Sequence, residues 1–496
     1  MYVDKGHIQS LMEAKRTSIS NLASQIQDLM RLREAEINEL AALQAMISPI
    51  AKLPTELLAK IFHLVVPPEG FWDYDMDITN KVVDAAHRVS QVSRYWRQIA
   101  HGTPQLWVDG FSFDASERAT KLTLEQTRAW LERSYPLPIT IYFSCRMEGQ
   151  DTSFATTELF TTLLSTTQRW RHVIWDIHHL FPLCGLPPGS FEALERFSIE
   201  SMDIQRPPEG LDIVLAAPQL REVAIYIRND RGSQSHMLGL FRIPWNQLTH
   251  LTLGENLSFE DCRDIILQCI SVRSIKIRAT LWDESSLSLT PVVVVLPNME
   301  TLEFHQSYGL AGIAIGHLFA CLALPALKSL ELSVDGLEEE ILTWDAGLFS
   351  QFQDRSPNIE RISLCASVVP VHADNLIALL RHSPAVAEVT IYDCQIDDAF
   401  VRGLEVHQND PQVLAPRLVN LDLTYSVRDG DVTPSDNALE AMIRSRWWPD
   451  ASTPHRTSRL ESVTIHRGRA PNTHGHPGLQ RNLAALREQG LKLSIY

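Results

Sequence analysis

Between residues 166 and 496 one short pattern recurs: an apolar residue, two others, an apolar residue, one other, and an apolar residue, often with a proline just before it. Clear copies are Leu194–Phe197–Ile199, Leu220–Val223–Ile225, Leu248–Leu251–Leu253, Val272–Ile275–Ile277 and Met299–Leu302–Phe304. Leu327–Leu330–Leu332, Ile359–Ile362–Leu364, Val386–Val389–Ile391, Leu418–Leu421–Leu423 and Leu460–Val463–Ile465 follow. Trp170–Val173–Trp175 reads as a degenerate first copy, and Leu491–Leu493–Ile495 as a closing strand. Copies are spaced mostly by 24 to 32 residues, with one gap of 42 before the last full copy. The alternation that ends each copy is that of a strand with one buried face. A single unit cannot bury its apolar residues alone, so the units must stack and share one core.

This pattern resembles leucine-rich repeats. The resemblance implies an α/β fold, a solenoid with a strand plus a helix or loop per repeat. Several return segments have helical spacing: Ser258–Ile270, Gly312–Leu324, Gly336–Phe352, Asp374–His382 and Asp436–Arg444. Ser258, with Asp261 three residues on, is a plausible helix cap. Gly309–Leu324 is apolar over 16 residues. A membrane span needs about 20, and His317 interrupts this one while Pro325 ends it, so it reads as a buried helix.

A second signal lies upstream. Leu53–Pro54–Thr55–Glu56–Leu57–Leu58–Ala59–Lys60–Ile61–Phe62 is followed by Val89–Ser90–Gln91–Val92–Ser93–Arg94–Tyr95–Trp96–Arg97–Gln98–Ile99–Ala100 and by Thr103–Pro104–Gln105–Leu106–Trp107. Pro54 suits a helix start, where a missing N–H costs nothing. Leu57, Leu58, Ile61, Phe62 and Val65 form one apolar stripe, and Val89, Val92, Trp96 and Ile99 recur on one face of a second helix. The series resembles the F-box, and with the repeats it is similar to F-box/leucine-rich-repeat proteins of the large fungal F-box-like families. The resemblance implies docking of a Skp-type adaptor and, through it, a cullin scaffold, with Leu53, Pro54, Leu57, Leu58, Ile61, Phe62, Val92 and Trp96 as anchors. It departs from the pattern in an insertion at about 67–86, which carries Phe71, Trp72 and Tyr74, and in Ser93, where many F-boxes have Cys.

Four segments result: a helical segment at 1–48, an F-box-like module at 49–108, a mixed connector at 109–165 and the repeats at 166–496. Within the first, residues 17–48 carry short coiled-coil spacing (Ile19, Leu22, Ile26, Leu29), which slips near Arg33 before Ile37, Leu40 and Ile47 resume it. Self-association is one reading, and folding back on the rest of the chain is the other. In the connector, Ala119–Tyr135 has helical spacing and Pro138–Phe143 alternates as a strand.

A net charge of −16 and a pI of about 5.6 argue against nucleic-acid binding, which draws its affinity from basic patches, and against an anionic membrane surface. Seven scattered cysteines without a CxxC pair fit reduced thiols in a cytoplasmic or nuclear protein. The N-terminus has no secretory apolar run. No catalytic, nucleotide or metal signature is present: His466, His474 and His476 share a loop-like region without a ligand framework, Glu338–Glu340 reads as a solvated helix start, and Trp447–Trp448 as marginal packing. No catalytic residue, metal or cofactor is therefore expected.

The partner surface expected on the strand positions between the apolar ones includes Tyr226, Lys276, Arg278, Glu303, His305, Glu331, Tyr392 and Asp422, a mix suited to an unidentified target protein. The expected function is the non-catalytic substrate-recognition subunit of a Skp–cullin–F-box (SCF) ubiquitin ligase. The alternative is a leucine-rich-repeat interaction scaffold with no ubiquitin role, in which the F-box-like segment only caps the array. An apolar Leu57/Leu58/Ile61 stripe left partly open to solvent would favour the first.

Overall fold

The computed structural model describes residues 5–47, 49–65, 85–109, 111–114, 124–144, 158–176, 183, 186–187, 189–201, 213–214, 217–227, 241–255, 257–280, 282, 293–307, 316, 318–335, 346–366, 371–392, 394, 396–407, 413–425, 433–448, 457–467 and 477–496. The chain opens with α1 (Lys5–Ile47), then α2 (Thr55–Val65), α3 (residues 85–91) and α4 (Arg94–His101). Strands and helices then alternate: β1 (Phe111–Asp114), α5 (Leu124–Ser134), β2 (Ile139–Ser144), α6 (Glu158–Leu164), β3 (Trp170–Asp176), β4 (Arg196–Ser201), β5 (Ile213–Val214), β6 (Glu222–Ile227), β7 (Phe241–Arg242) and β8 (His250–Leu253). Next come α7 (Phe259–Ile266), β9 (Ser274–Ala279), β10 (Val294–Val295), β11 (Thr301–Ser307), a helical turn α8 at residues 318–321, β12 (Leu322–Ala323), β13 (Ser329–Asp335), α9 (Ala346–Asp354), β14 (Arg361–Ala366) and α10 (Ala373–Arg381). The chain ends with β15 (Glu388–Tyr392), α11 (Asp398–Gly403), β16 (Asn420–Tyr425), α12 (Asp436–Ser445), β17 (Ser462–Arg467), α13 (Pro477–Asn482), α14 (Ala484–Glu488) and β18 (Lys492–Ile495).

Fourteen strands form one sheet in chain order, β1-β2-β3-β4-β6-β8-β9-β11-β13-β14-β15-β16-β17-β18, and every neighbouring pair is parallel. The apolar triplets dictate the register. Ile275 lies opposite Leu302, Leu302 opposite Leu330, and Leu330 opposite Ile362; Ile277, Phe304, Leu332 and Leu364 run beside them. Every residue of the ten triplets is at most 2 % exposed, so the triplets form a ladder along the core. The other strand residues face away, giving the alternating burial of β9, β14 and β16. β5–β7 and β10–β12 are short parallel pairs in the return segments.

The sheet starts earlier than the triplets suggest. β1 and β2 come from the segment read as a connector, and β2 buries Ile139, Ile141 and Phe143 completely. The connector's helix is α5; residues 115–123 lie outside the described ones. Ser258 caps α7, accepting a hydrogen bond from the Asp261 N–H at 3.1 Å. The helix expected to run to Leu324 is shorter: Leu322–Ala323 pairs with Val294–Val295 as β12. Pro325 disfavours helical geometry at Leu324, the residue just after this pair. Residues 309–315, 317 and 336–345 of the expected return helices lie outside the described residues, as do the insertion at 67–84, Glu338–Glu340, His474 and His476. Among the described residues no helix is long and apolar enough to cross a membrane. Cys262, Cys269 and Cys321 are free thiols. Burial pushes the Cys269 thiol up to about 12 and Cys262 higher still.

One recurring device ties neighbouring units together. Three arginines sit in turns between a helix and the following strand or loop, and each donates to backbone carbonyls about one unit back. Arg169 binds the carbonyls of Leu131 and Leu137, Arg355 those of Phe319 and Leu322, and Arg446 those of Leu404, Leu414 and Ala415.

Candidate functional site

The module that precedes the sheet is built from short helices whose sequence directs two faces. The Pro54 carbonyl accepts the Leu58 N–H at 3.1 Å, starting α2. Leu58 and Phe62, one turn apart, are fully buried. Phe62 meets Trp96 with ring centroids 4.8 Å apart, and Leu53 is half-buried against the same core. The second helix expected from Val89 to Ile99 is two helices. Ser93 is extended (φ −158°, ψ 167°) and its side chain accepts the Trp96 N–H at 3.1 Å, so α4 begins there. A serine side chain that caps a helix outcompetes continuation of the previous one. Val89 and Ile99 face the core, while Val92 falls at the break and is 61 % exposed.

The opposite side of the module is apolar and open. Leu57 is 44 % exposed and Ile61 41 %; Leu64 is 83 % exposed, with Val65 and Tyr95 also in solvent. Leu57, Ile61, Leu64 and Val65 fall at i, i+4, i+7 and i+8 of α2, one helical face. Of the eight residues read as anchors, Leu57, Ile61, Val92 and Pro54 are therefore accessible, and Leu53 and Trp96 partly so. Leu58 and Phe62 have no surface to offer a partner and instead fix the helix that presents the others. Val65 was placed on the apolar stripe but not among the anchors, and Leu64 and Tyr95 were not singled out in the sequence; Leu64 continues the Leu57–Ile61 spacing and was legible from it.

The far side of the module is spliced to the sheet. Trp107, 1 % exposed, donates its indole N–H to the Ala100 carbonyl at 2.7 Å. His87 and His101 meet it edge-on, and the Arg133 guanidinium of α5 lies 4.8 Å from its ring centroid. Burial, then Arg133, lowers the His101 pKa below its usual value.

On the sheet face turned away from the core, the residues marked in the sequence fall into groups. Lys276, Glu303 and Glu331 are in register on β9, β11 and β13, with Arg278, His305 and Ser333 one row on. Lys276 donates to Glu303 at 2.9 Å, and His305 Nε2 is 4.0 Å from Glu303 and 3.8 Å from Glu331. His305 and Lys276 hold the Glu303 carboxyl down, at about 2, against the opposing effect of burial. A second group lies on β15–β17: Tyr392, 42 % exposed, opposite Thr424, which is opposite His466. Burial raises the Asp422 pKa, with His466 acting against it. Tyr226 stands apart on β6. Asp422 Oδ1, Thr424 Oγ1, Arg467 Nε and His305 Nε2 are buried atoms without a hydrogen-bond partner among the described residues. Such atoms are costly when left unpaired, at about 1–3 kcal/mol each. The half-buried, interlocked carboxylates and imidazoles form no group of three or more that could hold a metal ion among the described residues.

Residues 50–111 match the F-box-like family model. This is the module just described, from the turn before α2 to the first residue of β1. Domains of this type generally bind Skp-type adaptors and are typically adaptor or receptor modules rather than enzymes. No curated protein matches the chain.

Proposed function

We propose that this chain is the non-catalytic substrate-recognition subunit of an SCF-type ubiquitin ligase. The F-box-like module docks a Skp-type adaptor, which joins the chain to a cullin scaffold. The sheet, read as a leucine-rich-repeat solenoid of the kind found in fungal F-box-like families, holds a target protein on its outer face. The observation that carries the reading is the uncovered apolar patch of Leu57, Ile61, Leu64, Val65, Val92 and Tyr95 on the matched module. A segment that only capped the array would turn its apolar residues inward, whereas this one buries Leu58 and Phe62 and leaves their neighbours open. Exposed apolar clusters of this kind mark interaction sites. The outer sheet face, with its ion pairs and the exposed Tyr392, supports protein recognition; Lys276 is already engaged by Glu303, which disfavours a phosphorylated target. Rate enhancement would come from proximity, with bound target and conjugating enzyme held on one assembly.

The test is capture of the host's Skp-type adaptor by the full chain and by Leu57→Ala/Ile61→Ala. Each anchor at an interface centre contributes on the order of 2 kcal/mol, so the double change weakens capture by at least tenfold. Because both side chains face solvent, far-ultraviolet circular dichroism stays unchanged. Equal capture by both proteins, or none by the wild type at micromolar concentration, would refute the reading.

A further inference from the structure

The long helix α1 has no apolar partner among the described residues: Ile19, Leu22, Ile26, Leu29, Leu40 and Leu43 are all more than half exposed. The slip near Arg33 that the apolar residues suggest is not a break in register. Counting sevens from Ile19, positions a and d are Ile19, Leu22, Ile26, Leu29, Arg33, Glu36, Leu40, Leu43 and Ile47. Backwards, the same frame takes in Lys15, Met12 and Ile8. The seam is one continuous heptad series with a basic residue and an acidic residue at adjacent core positions in its middle. Ile37, which suggested the slip, is an e position beside those charges, as is Met30; Leu32 is the neighbouring g position.

We infer that α1 is the dimerisation element of this protein and pairs with α1 of a second copy in antiparallel orientation, with Arg33 of each helix facing Glu36 of the other. The charges decide the orientation. In a parallel pair, Lys15, Arg33 and Glu36 would each meet their own copy, giving three like-charged core layers. In an antiparallel pair, a positions face d positions, and the register that sets Arg33 against Glu36 satisfies both charges of both chains. The same register sets Leu29 against Leu40, Ile26 against Leu43 and Leu22 against Ile47. It gives eight layers over residues 22–47, six of them apolar, and leaves Lys15 beyond the end of the partner helix. At about 1.5 Å per residue the overlap is about 39 Å long. Sliding by one heptad in either direction places Arg33 and Glu36 against apolar residues, so the ion pair fixes register as a buried polar layer does in coiled coils. Met30, Leu32 and Ile37, exposed in the single chain, flank the charged layers and exclude water from them. The inference is independent of the adaptor reading, since it concerns a helix outside the matched module.

Sedimentation of the full chain at micromolar concentration should give twice the 56.0 kDa chain mass. Leu29→Asp/Leu40→Asp should give the single-chain mass, with helix content per chain retained wherever the isolated α1 stays helical. Orientation is read by mixing full-length Leu29→Cys and Leu40→Cys proteins, oxidising them and mapping the new disulfide by peptide mass spectrometry; α1 has no native cysteine. A 29–40 bridge between chains is expected. Bridges joining like positions, 29–29 and 40–40, would overturn the antiparallel assignment. A wild-type chain of single mass would overturn the dimer, as would a Leu29→Asp/Leu40→Asp chain that keeps the double mass. As a second readout, Arg33→Glu and Glu36→Arg should each weaken the dimer by tenfold or more, and the double reversal should restore it; a double variant no better than the singles would exclude the Arg33–Glu36 layers.

Discussion

Arg446, in the turn after α12, ties that turn to the chain one unit back. It is fully buried and has no acidic partner among the described residues; its guanidinium donates to the carbonyls of Leu404, Leu414 and Ala415. Ala415 lies in the left-handed region, at φ 44°, where a residue with a Cβ is strained, so Arg446 holds a turn that would otherwise relax. Burial lowers the guanidinium pKa from 12.5 to about 10, leaving it charged at neutral pH. At 1.36 kcal/mol per unit, that shift corresponds to roughly 3 kcal/mol of unfavourable desolvation. Replacement by methionine removes that penalty and leaves the Leu404 and Leu414 carbonyls unpaired, at about 2 kcal/mol each or roughly 4 in all, while the Ala415 carbonyl keeps the Leu418 N–H. The net loss is about 1 kcal/mol. Arg446→Lys should not rescue it, because an ammonium keeps the burial penalty and lacks the planar fork that spans three acceptors. Hydrogen exchange of the full chain, followed by mass spectrometry on peptides from α11 and α12, reads this directly. About 1 kcal/mol is a loss of protection of about fivefold. Wild-type protection in the methionine variant would refute the argument that the carbonyl clamp holds these units together.

Two further outcomes follow from the sheet. Gly254→Ala should destabilise the chain by at least 1–2 kcal/mol, because a Cβ there would sit 2.8 Å from the Ile225 carbonyl oxygen and 2.9 Å from Tyr226 Cα; an unchanged denaturation midpoint would show that β6 and β8 can separate freely. Glu303 is held at about 2 in the folded chain, below its ordinary 4.5, so its ionised form stabilises the fold above pH 4.5, and that contribution is lost as pH falls from 4.5 towards 2. Glu303→Gln should flatten the acid side of the stability profile in that window, and an identical profile would remove Glu303 from the interactions that hold the sheet face.

The sheet was legible because its signal is redundant: ten triplets in one phase allow a single arrangement in which all of them reach one core. Its beginning was not, since Phe111–Ser112–Phe113–Asp114 is too short to tell from a loop until β2 lies beside it. Leu57 and Leu58 illustrate a different limit. They are neighbours on one apolar stripe, and only the packing of Trp96 on Phe62 decides that Leu58 turns inward and Leu57 outward. The division at Ser93 was hidden because Val89, Val92, Trp96 and Ile99 keep helical spacing across it; the serine side chain, capable of capping, was the available clue. Arg446 drew no notice because an arginine ordinarily reads as surface. Its signal is comparative: Arg169, Arg355 and Arg446 each stand in the turn beyond a helix, where carbonyls lack partners.

The splice at Trp107 bears on how the two surfaces work together. The indole is bonded to the end of α4 through Ala100 and covered by Arg133 of α5. α5 lies between β1 and β2 in the chain, so the module's last buried tryptophan is also part of the first layer of the sheet. Val108 and Asp109, the described residues that follow Trp107, are part-buried, and only three residues separate Trp107 from Phe111, too short a span to act as a flexible tether. On the proposed reading this matters more than the strength of either contact. A receptor that acts by proximity gains from holding its target at a set distance and angle from the adaptor, because effective concentration falls steeply when the connection is loose. Burying Trp107 at the junction, with a cation over its ring and its N–H satisfied, converts adaptor docking on α2 into a defined orientation of the sheet.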